Sequence, residues 1–247
     1  VLEGNFEQGG WLRGTAPTGT TGLRLGDETV QFDSQRRFFA AFDRDAPAGL
    51  KLTATRSSGG PVTRTIAIAP RDWRIERVNV PLRGSMPSEA FMAIRRPELA
   101  AIDAARSVRS DTDGWRQRFV WPVKARISGR FGSQRIYQGV PGSYHSGLDI
   151  APGADVPYVA PADGVVVLAA SKPFTLEGNL VIIDHGMGLN SAFLHSSRLT
   201  VKEGDRVKQG QVIGYTGATG RATGPHLHWS LKWQDARLDP LLFLPQQ

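Results

Sequence analysis

From residue 119 onward the chain advances in short apolar runs separated by glycine-rich turns. Val165-Val-Val-Leu168, Leu180-Val-Ile-Ile183 and Gln211-Val-Ile-Gly214 are the clearest of them. Runs this short between such breakers fit buried strands, and no stretch here carries helical spacing, so this part is expected to be all-β. Residues 1 to about 82 have the same texture. Phe38-Phe-Ala-Ala-Phe42, Leu50-Lys-Leu-Thr-Ala-Thr55 and Thr63-Arg-Thr-Ile-Ala-Ile68 are strand candidates, with Ser57-Ser-Gly-Gly-Pro61 as a hairpin breaker between the last two. Trp73-Arg-Ile-Glu-Arg-Val-Asn-Val80 alternates with period two. The expected N-terminal unit is a small antiparallel sandwich or barrel.

Between these parts the texture changes. Pro97 fits the first turn of a helix, and Leu99, Ile102, Ala105 and Val108 recur at near-helical spacing until Ser110-Asp-Thr-Asp-Gly114. The organisation read from the sequence is an accessory β-domain at 1–85, a helical linker at 86–118 and a β domain at 119–247. The motifs of the last are self-contained, so it is expected to fold alone. The first has no histidine and no paired acidic motif, so it is expected to contribute no chemistry and to modulate access to the site, with a simple tether or wall-binding module as the alternative.

Composition removes several classes of function. With 40% hydrophobic residues, including 11 Phe and 6 Trp, the chain can bury a core and is not disordered. It has no cysteine, which excludes disulfides, thiolate metal sites and cysteine nucleophiles. No run of 18 apolar residues suggests a membrane-spanning helix. The net charge of +7 is spread over both halves, with no dense basic stripe interleaved with aromatics. Nucleic-acid binding is therefore not expected; a diffuse positive field suits approach to an anionic polymer such as a cell wall.

Four of the five histidines fall in three short motifs: His145-Ser-Gly-Leu-Asp149, Phe193-Leu-His195-Ser-Ser197 and Gly224-Pro-His226-Leu-His228-Trp229. Residues two apart in a strand share a face, so His226 and His228 would point one way while Leu227 and Trp229 point the other. His145 and Asp149, four apart, would also share a face, and Gly147 argues against a helix there. Two neutral histidines and one carboxylate leave a bound Zn²⁺ with about +1 net charge and an open fourth position, the mark of a catalytic site. A water there has its pKa lowered to roughly 7. It still needs a base and an oxyanion partner. His195 and the non-ligating member of the His226/His228 pair are the candidates. His185, in Ile183-Asp-His185-Gly186, reads as structural, and Glu177, in the loop before Gly178-Asn179, could serve as a base but reads first as a solvated loop carboxylate.

With these motifs in view, residues 119–247 resemble the lysostaphin/LytM family of zinc metallopeptidases. The resemblance runs from Ile127-Ser-Gly-Arg-Phe-Gly132 through His145-Ser-Gly-Leu-Asp-Ile-Ala151, Val159-Ala-Pro-Ala-Asp-Gly164, Gly178-Asn-Leu-Val-Ile-Ile-Asp-His-Gly186 and Val201 to Gly214. It closes on Thr219-Gly-Arg-Ala-Thr-Gly-Pro-His-Leu-His228 and Asp239-Pro240. It implies one Zn²⁺ per chain held by His145, Asp149 and His228, catalytic roles for His195 and His226, and a LytM-like antiparallel β-sheet groove with the metal at its floor. It implies peptide-bond hydrolysis in peptidoglycan, with the D-Ala–diaminopimelate cross-link favoured, in the periplasm or cell envelope. The chain is then an exported protein whose signal or anchor segment lies outside it. Phe193 stands where the family often has Tyr, and Ser196 where Leu is usual, which bears on loop packing. The N-terminal part is similar in texture to accessory β-domains that precede some such peptidases in Gram-negative envelopes.

Two rival readings are set beside this one. A zinc-bound but non-hydrolytic wall-binding or amidase-activating module would keep the fold, although relatives of that kind have lost ligands and here every ligand position is filled. A biotinyl or lipoyl carrier shares the texture of Lys202 to Gly214. It needs a modifiable lysine at an exposed hairpin tip, which no lysine here provides, and it leaves the histidines unexplained; no lipoyl or biotin attachment is expected.

Overall fold

The computed structural model describes residues 1–82, 88–170 and 172–245. The expected boundary at 85/86 lies outside these described residues. Among them the chain is mainly β, with one α-helix.

The N-terminal strands form two sheets. Leu2–Asn5, Trp11–Thr15 and Arg37–Ala41 make one; Glu28–Thr29, Thr20–Leu25, Gly49–Arg56 and Val62–Ala67 make the other, each in that spatial order. Alternation decides what each strand buries: in Gly49–Arg56, Leu52 and Ala54 turn inward while Lys51 and Thr55 face water. Leu12, Leu23, Leu25, Phe38 and Ile66 fill the interior. The sandwich expectation holds, with one correction. The Trp73–Val80 segment does not complete an N-terminal antiparallel sheet. Its strand, Ile75–Val78, pairs in parallel with Gln134–Tyr137, from the other part of the chain. Period-two alternation identifies a strand but not its partner, and both its faces here are largely exposed.

The C-terminal part is built on an eight-stranded sheet. Its order is Arg206–Val207, Gly164–Ala169, Asn179–Asp184, Leu189–Ser196, Leu227–Trp233, Leu148–Ala151 and Arg126–Gly129, with Ala236–Leu238 pairing on Leu227–Trp233. All these neighbours are antiparallel. One face is the core: Leu227, Trp229 and Leu231 alternate along their strand and are buried, with Phe193 stacked on Trp229 at 6.3 Å and on Tyr158 at 5.5 Å. Ser196 binds the Tyr158 hydroxyl at 2.7 Å. The Phe193 and Ser196 departures thus sit in a packed, hydrogen-bonded region. The opposite face carries His228 and Asp149.

The helix runs Glu89–Ser107. It starts eight residues before Pro97, because Ser88 caps it by accepting a hydrogen bond from the Phe91 amide at 3.1 Å. Pro97 therefore lies inside the helix. Its missing N–H orphans the Ala93 carbonyl, which is tolerated because Ala93 and Pro97 are on the solvent side. Ile102 and Ala105 are buried as expected, whereas Leu99 and Val108 are exposed. The helix does more than link: Ile102 and Ala105 pack with Leu180, Ile182 and Ala192, on the sheet face that also bears His228.

The two halves share one continuous core. Trp11, Phe39, Phe243, Phe119 and Trp229 form an aromatic chain with successive ring contacts of 5.3–6.5 Å. Trp11 Nε1 donates to the Leu242 carbonyl at 3.1 Å, and Arg71 pairs with the nearly buried Asp239 at 2.8 Å.

Candidate metal centre and active site

Three of the sequence-selected residues converge. His145 Nε2, Asp149 Oδ1 and His228 Nδ1 lie 3.1, 2.8 and 3.2 Å apart in pairs. These three residues can hold a metal ion. Asp149 and His228 are directly cross-strand, which brings them together from 79 residues apart. His145 corrects the expectation of a shared strand face, since it precedes the Leu148–Ala151 strand. Its loop is fixed instead by reciprocal backbone bonds: the His145 amide donates to Ser133 and the Gly132 amide donates to His145, both at 2.8 Å. The His145 ring is aimed by donation from Nδ1 to the Arg130 carbonyl at 3.1 Å, which leaves Nε2 for the cluster.

Two glycines make the approach possible. A Cβ on Gly129 would lie 2.3 Å from Asp149 Oδ2, and one on Gly147 would lie 2.6 Å from His228 Nε2. These steric requirements explain the glycines inside and beside the motifs.

His226 and His228 share a face, as their spacing predicts, while Leu227 and Trp229 are fully buried behind them. His226 Nε2 is 3.7 Å from Asp149 Oδ1. Its Nδ1 donates to the Gly224 carbonyl at 2.9 Å, which keeps the Nε2 lone pair free. His195 is fixed in the same way, with Nδ1 donating to the Thr219 carbonyl at 2.9 Å. Its ring lies 5.0 Å from that of His226 and 6.3 Å from that of His228. His195 has φ of 66°, a left-handed backbone that costs a non-glycine residue about 1–3 kcal/mol. Its amide is held by the Glu177 carbonyl at 2.8 Å.

The electrostatics follow from this packing. Burial opposes ionisation of Asp149, but hydrogen bonds from His145 and His228 outweigh it and hold the carboxyl well below the usual range. For His145 the same bond outweighs burial and raises the imidazole pKa. Burial dominates at His195 and His228 and favours their neutral rings, the form that binds metal or accepts a proton.

Glu177 corrects the sequence reading. It is neither solvated nor aimed at the cluster: its carboxylate forms a two-pronged pair with Arg95 of the helix, both bonds 2.6 Å. Arg95 also binds Glu98, which accepts from the Thr175 amide and hydroxyl. Sequence reasoning missed Arg95, because no local signal links a helix position to a loop 82 residues away. It also missed Asn179 and Thr219, which tie the chain around His195 through the Ser196 and Ser197 carbonyls. The GN pair at 178–179 was in view as a family motif only. His185 is structural as read: it is fully buried, on Asp163 and Ser191.

The sheet face thus carries a His–Asp–His cluster that could hold a metal ion, with two further histidines beside it. Residues 143–240 match Peptidase family M23, and the chain carries a domain of that family. It is 40% identical over 116 residues to the peptidoglycan DD-endopeptidase ShyA of Vibrio cholerae, covering 47% of this chain and 26% of that protein. It is 36% identical over 119 residues to the DD-carboxypeptidase/endopeptidase Mpg of Neisseria meningitidis, covering 48% and 27%. The chain thus spans about a quarter of the length of these curated relatives. A solved structure from Pseudomonas aeruginosa assigned to peptidase M23 aligns over 96% of this chain and 94% of that one, at 29% identity and a TM-score of 0.71. That alignment includes the N-terminal half.

Proposed function

We propose that the chain is a zinc-dependent endopeptidase that hydrolyses peptide bonds in peptidoglycan stem peptides or cross-links. The observation that carries this reading is the convergence of His145, Asp149 and His228 inside an M23 domain, with two more histidines alongside whose Nδ1 atoms are already committed. Tetrahedral zinc with bonds of about 2.0–2.2 Å separates its ligand atoms by roughly 3.3 Å. The separations of 3.1 and 3.2 Å are close to that, and the 2.8 Å between Asp149 and His228 is about half an ångström shorter, so a small outward shift of this pair would fit the ion. Zinc, when bound, supplies Lewis acidity toward the scissile carbonyl and acidifies water.

The chain's own residues supply the rest. His145, Asp149 and His228 bind the ion, with Asp149 as the only anion among them. His195 and His226 each give Nδ1–H to a backbone carbonyl, which leaves the Nε2 lone pair for the site. Either can accept a proton there and then donate it to a developing oxyanion or leaving amine. The left-handed backbone at His195 is held by Glu177, Asn179 and Thr219, so its position is set before substrate arrives.

The D-Ala–diaminopimelate cross-link is the favoured bond, supported by the DD-endopeptidase name of ShyA. A peptidoglycan substrate places the protein in the periplasm or cell envelope. Residues ~1–85 contribute no chemistry in this reading. The test is digestion of purified peptidoglycan with mass analysis of the released muropeptides, with and without chelator. Zinc-dependent loss of cross-linked dimers is expected; an unchanged muropeptide profile from zinc-loaded protein would reject the proposal.

A further inference from the structure

The helix Glu89–Ser107 presents Arg95, Ile102 and Arg106 as one stripe to the sheet, since spacings of seven and eleven residues return to the same side of a helix. The stripe roofs a cleft of about 320 Å³ whose lining includes Arg106, Leu194, His228, Ser230 and Arg237. The cleft therefore opens directly beside a residue of the metal cluster. Its two arginines on the helix differ sharply. Arg95 is buried and satisfied by Glu177 and Glu98. Arg106, roughly 16 Å further along the helix, forms no hydrogen bond or ion pair through its guanidinium among the described residues, and its Nε is buried without a partner. Asp103, Glu177 and Asp235 act on its charge, but none lies within ion-pair distance.

The neighbouring cations are also underneutralised. Arg237 has no ion-pair partner among the described residues, and its guanidinium stands 5.6 Å from the centre of the Tyr144 ring. Among the described residues Lys232 is paired only with Asp235, whose side chain is 97% exposed. Burial, and then the charge of Arg237, disfavour the charged form of Arg106. An anion between the two guanidiniums would relieve both penalties. A guanidinium fork matches a planar carboxylate, as Arg95 and Glu177 show in the same cleft.

We infer that the cleft between this helix and the sheet is a substrate subsite in which Arg106 and Arg237 bind a free carboxylate of the peptide whose scissile bond lies at the metal. This rests on the peptidase reading above and adds a specificity element to it: the helix forms a wall of the substrate site. Substrates that carry an amide in place of that carboxylate are poor ligands.

The test is a binding titration of the full chain with a synthetic stem tetrapeptide bearing free carboxylates and with its amidated form. A tetrapeptide contains no cross-link, and its mass after the titration checks that no stem-peptide bond was cut. The wild type is expected to bind the acid about tenfold tighter than the amide, the scale of one charge-assisted hydrogen-bonded pair. Arg106→Gln should bring the two affinities within about twofold of each other. Arg237→Gln lies off the helix and cannot undock it, and it should shrink the ratio severalfold. Raised salt should lower the ratio in the wild type only. A wild-type ratio near one would overturn the inference, as would a ratio preserved in both variants, or equal weakening of both peptides by both variants. A chain that discriminates acid from amide but never cuts a cross-link would fail as an endopeptidase while keeping this subsite.

Discussion

His185 gives the sharpest quantitative expectation, because its whole environment is defined. Its ring is fully buried. Nδ1–H donates to the Asp163 carbonyl at 2.8 Å, and Nε2 accepts from the Ser191 hydroxyl at 2.7 Å. Ser191 Oγ in turn accepts from the Trp229 indole at 3.2 Å. A second proton on the ring would find no acceptor except that hydroxyl, and burial pushes the imidazole down to about 4. In the unfolded chain it returns to roughly 6.5. Between those values the unfolded state binds the extra proton, so stability falls as pH drops from 6.5 towards 4 and levels off below. A difference of about 2.5 pH units corresponds to about 3 kcal/mol. His185→Gln removes this proton linkage. It should be the less stable protein at pH 7, and its deficit relative to wild type should shrink by about 3 kcal/mol by pH 4. Urea unfolding followed by tryptophan fluorescence at several pH values measures this. A chelator should be present throughout, so that pH-dependent metal binding does not enter. A deficit that stays constant with pH would refute the reasoning.

Asp149→Ala removes the only anion of the cluster and is expected to lose metal and activity together; elemental analysis showing full zinc in the variant would reject it as a ligand. His195→Ala and His226→Ala should retain zinc while turnover falls about 10²- to 10⁴-fold, and metal loss in either would move that residue into the ligand set. Gly147→Ala would place a Cβ 2.6 Å from His228 Nε2 and 2.8 Å from the Trp229 carbonyl. Zinc retention through dialysis should drop well below wild type while the protein stays folded, and unchanged retention would show that the ring can yield.

The cluster was legible because each motif is local and strand periodicity is rigid. His226-Leu-His228 fixes which side chains share a face without any knowledge of the fold. What pairs with what was not legible. The alternation of Trp73–Val80 marks a strand, yet nothing in it points to Gln134–Tyr137 as the partner. The spacing of His145 and Asp149 suggested one strand, but His145 reaches the cluster from a loop pinned to Ser133. Glu177 shows the same limit. A carboxylate in a glycine-flanked loop reads as solvated until a helix arriving from elsewhere sets Arg95 against it. Pro97 misled because propensity favours it at a helix start. The competing signal is Ser88, whose hydroxyl accepts from the Phe91 amide and fixes the helix start well before Pro97.

The division into residues 1–85, 86–118 and 119–247 remains our proposal for how labour is shared, but the packing speaks against reading it as a division of stability. The strand that bears His228 also bears Trp229, which stacks on Phe119. Phe119 meets Phe243, and Phe243 meets both Trp11 and Phe39 of the N-terminal sheet. Burying side chains of this size is worth about 1.5–3 kcal/mol each, so several such contacts are comparable with the whole stability of a domain. A fragment beginning at residue 119 would expose Phe243 and leave Asp239 without Arg71. It would also lack the helix, and with it Arg95 and Arg106. The expectation that 119–247 folds alone therefore meets a specific obstacle. If the fragment is destabilised, the N-terminal half acts as scaffold for the metal-bearing strand. Slower turnover of the fragment on soluble muropeptides would then report lost structure and not a removed gate.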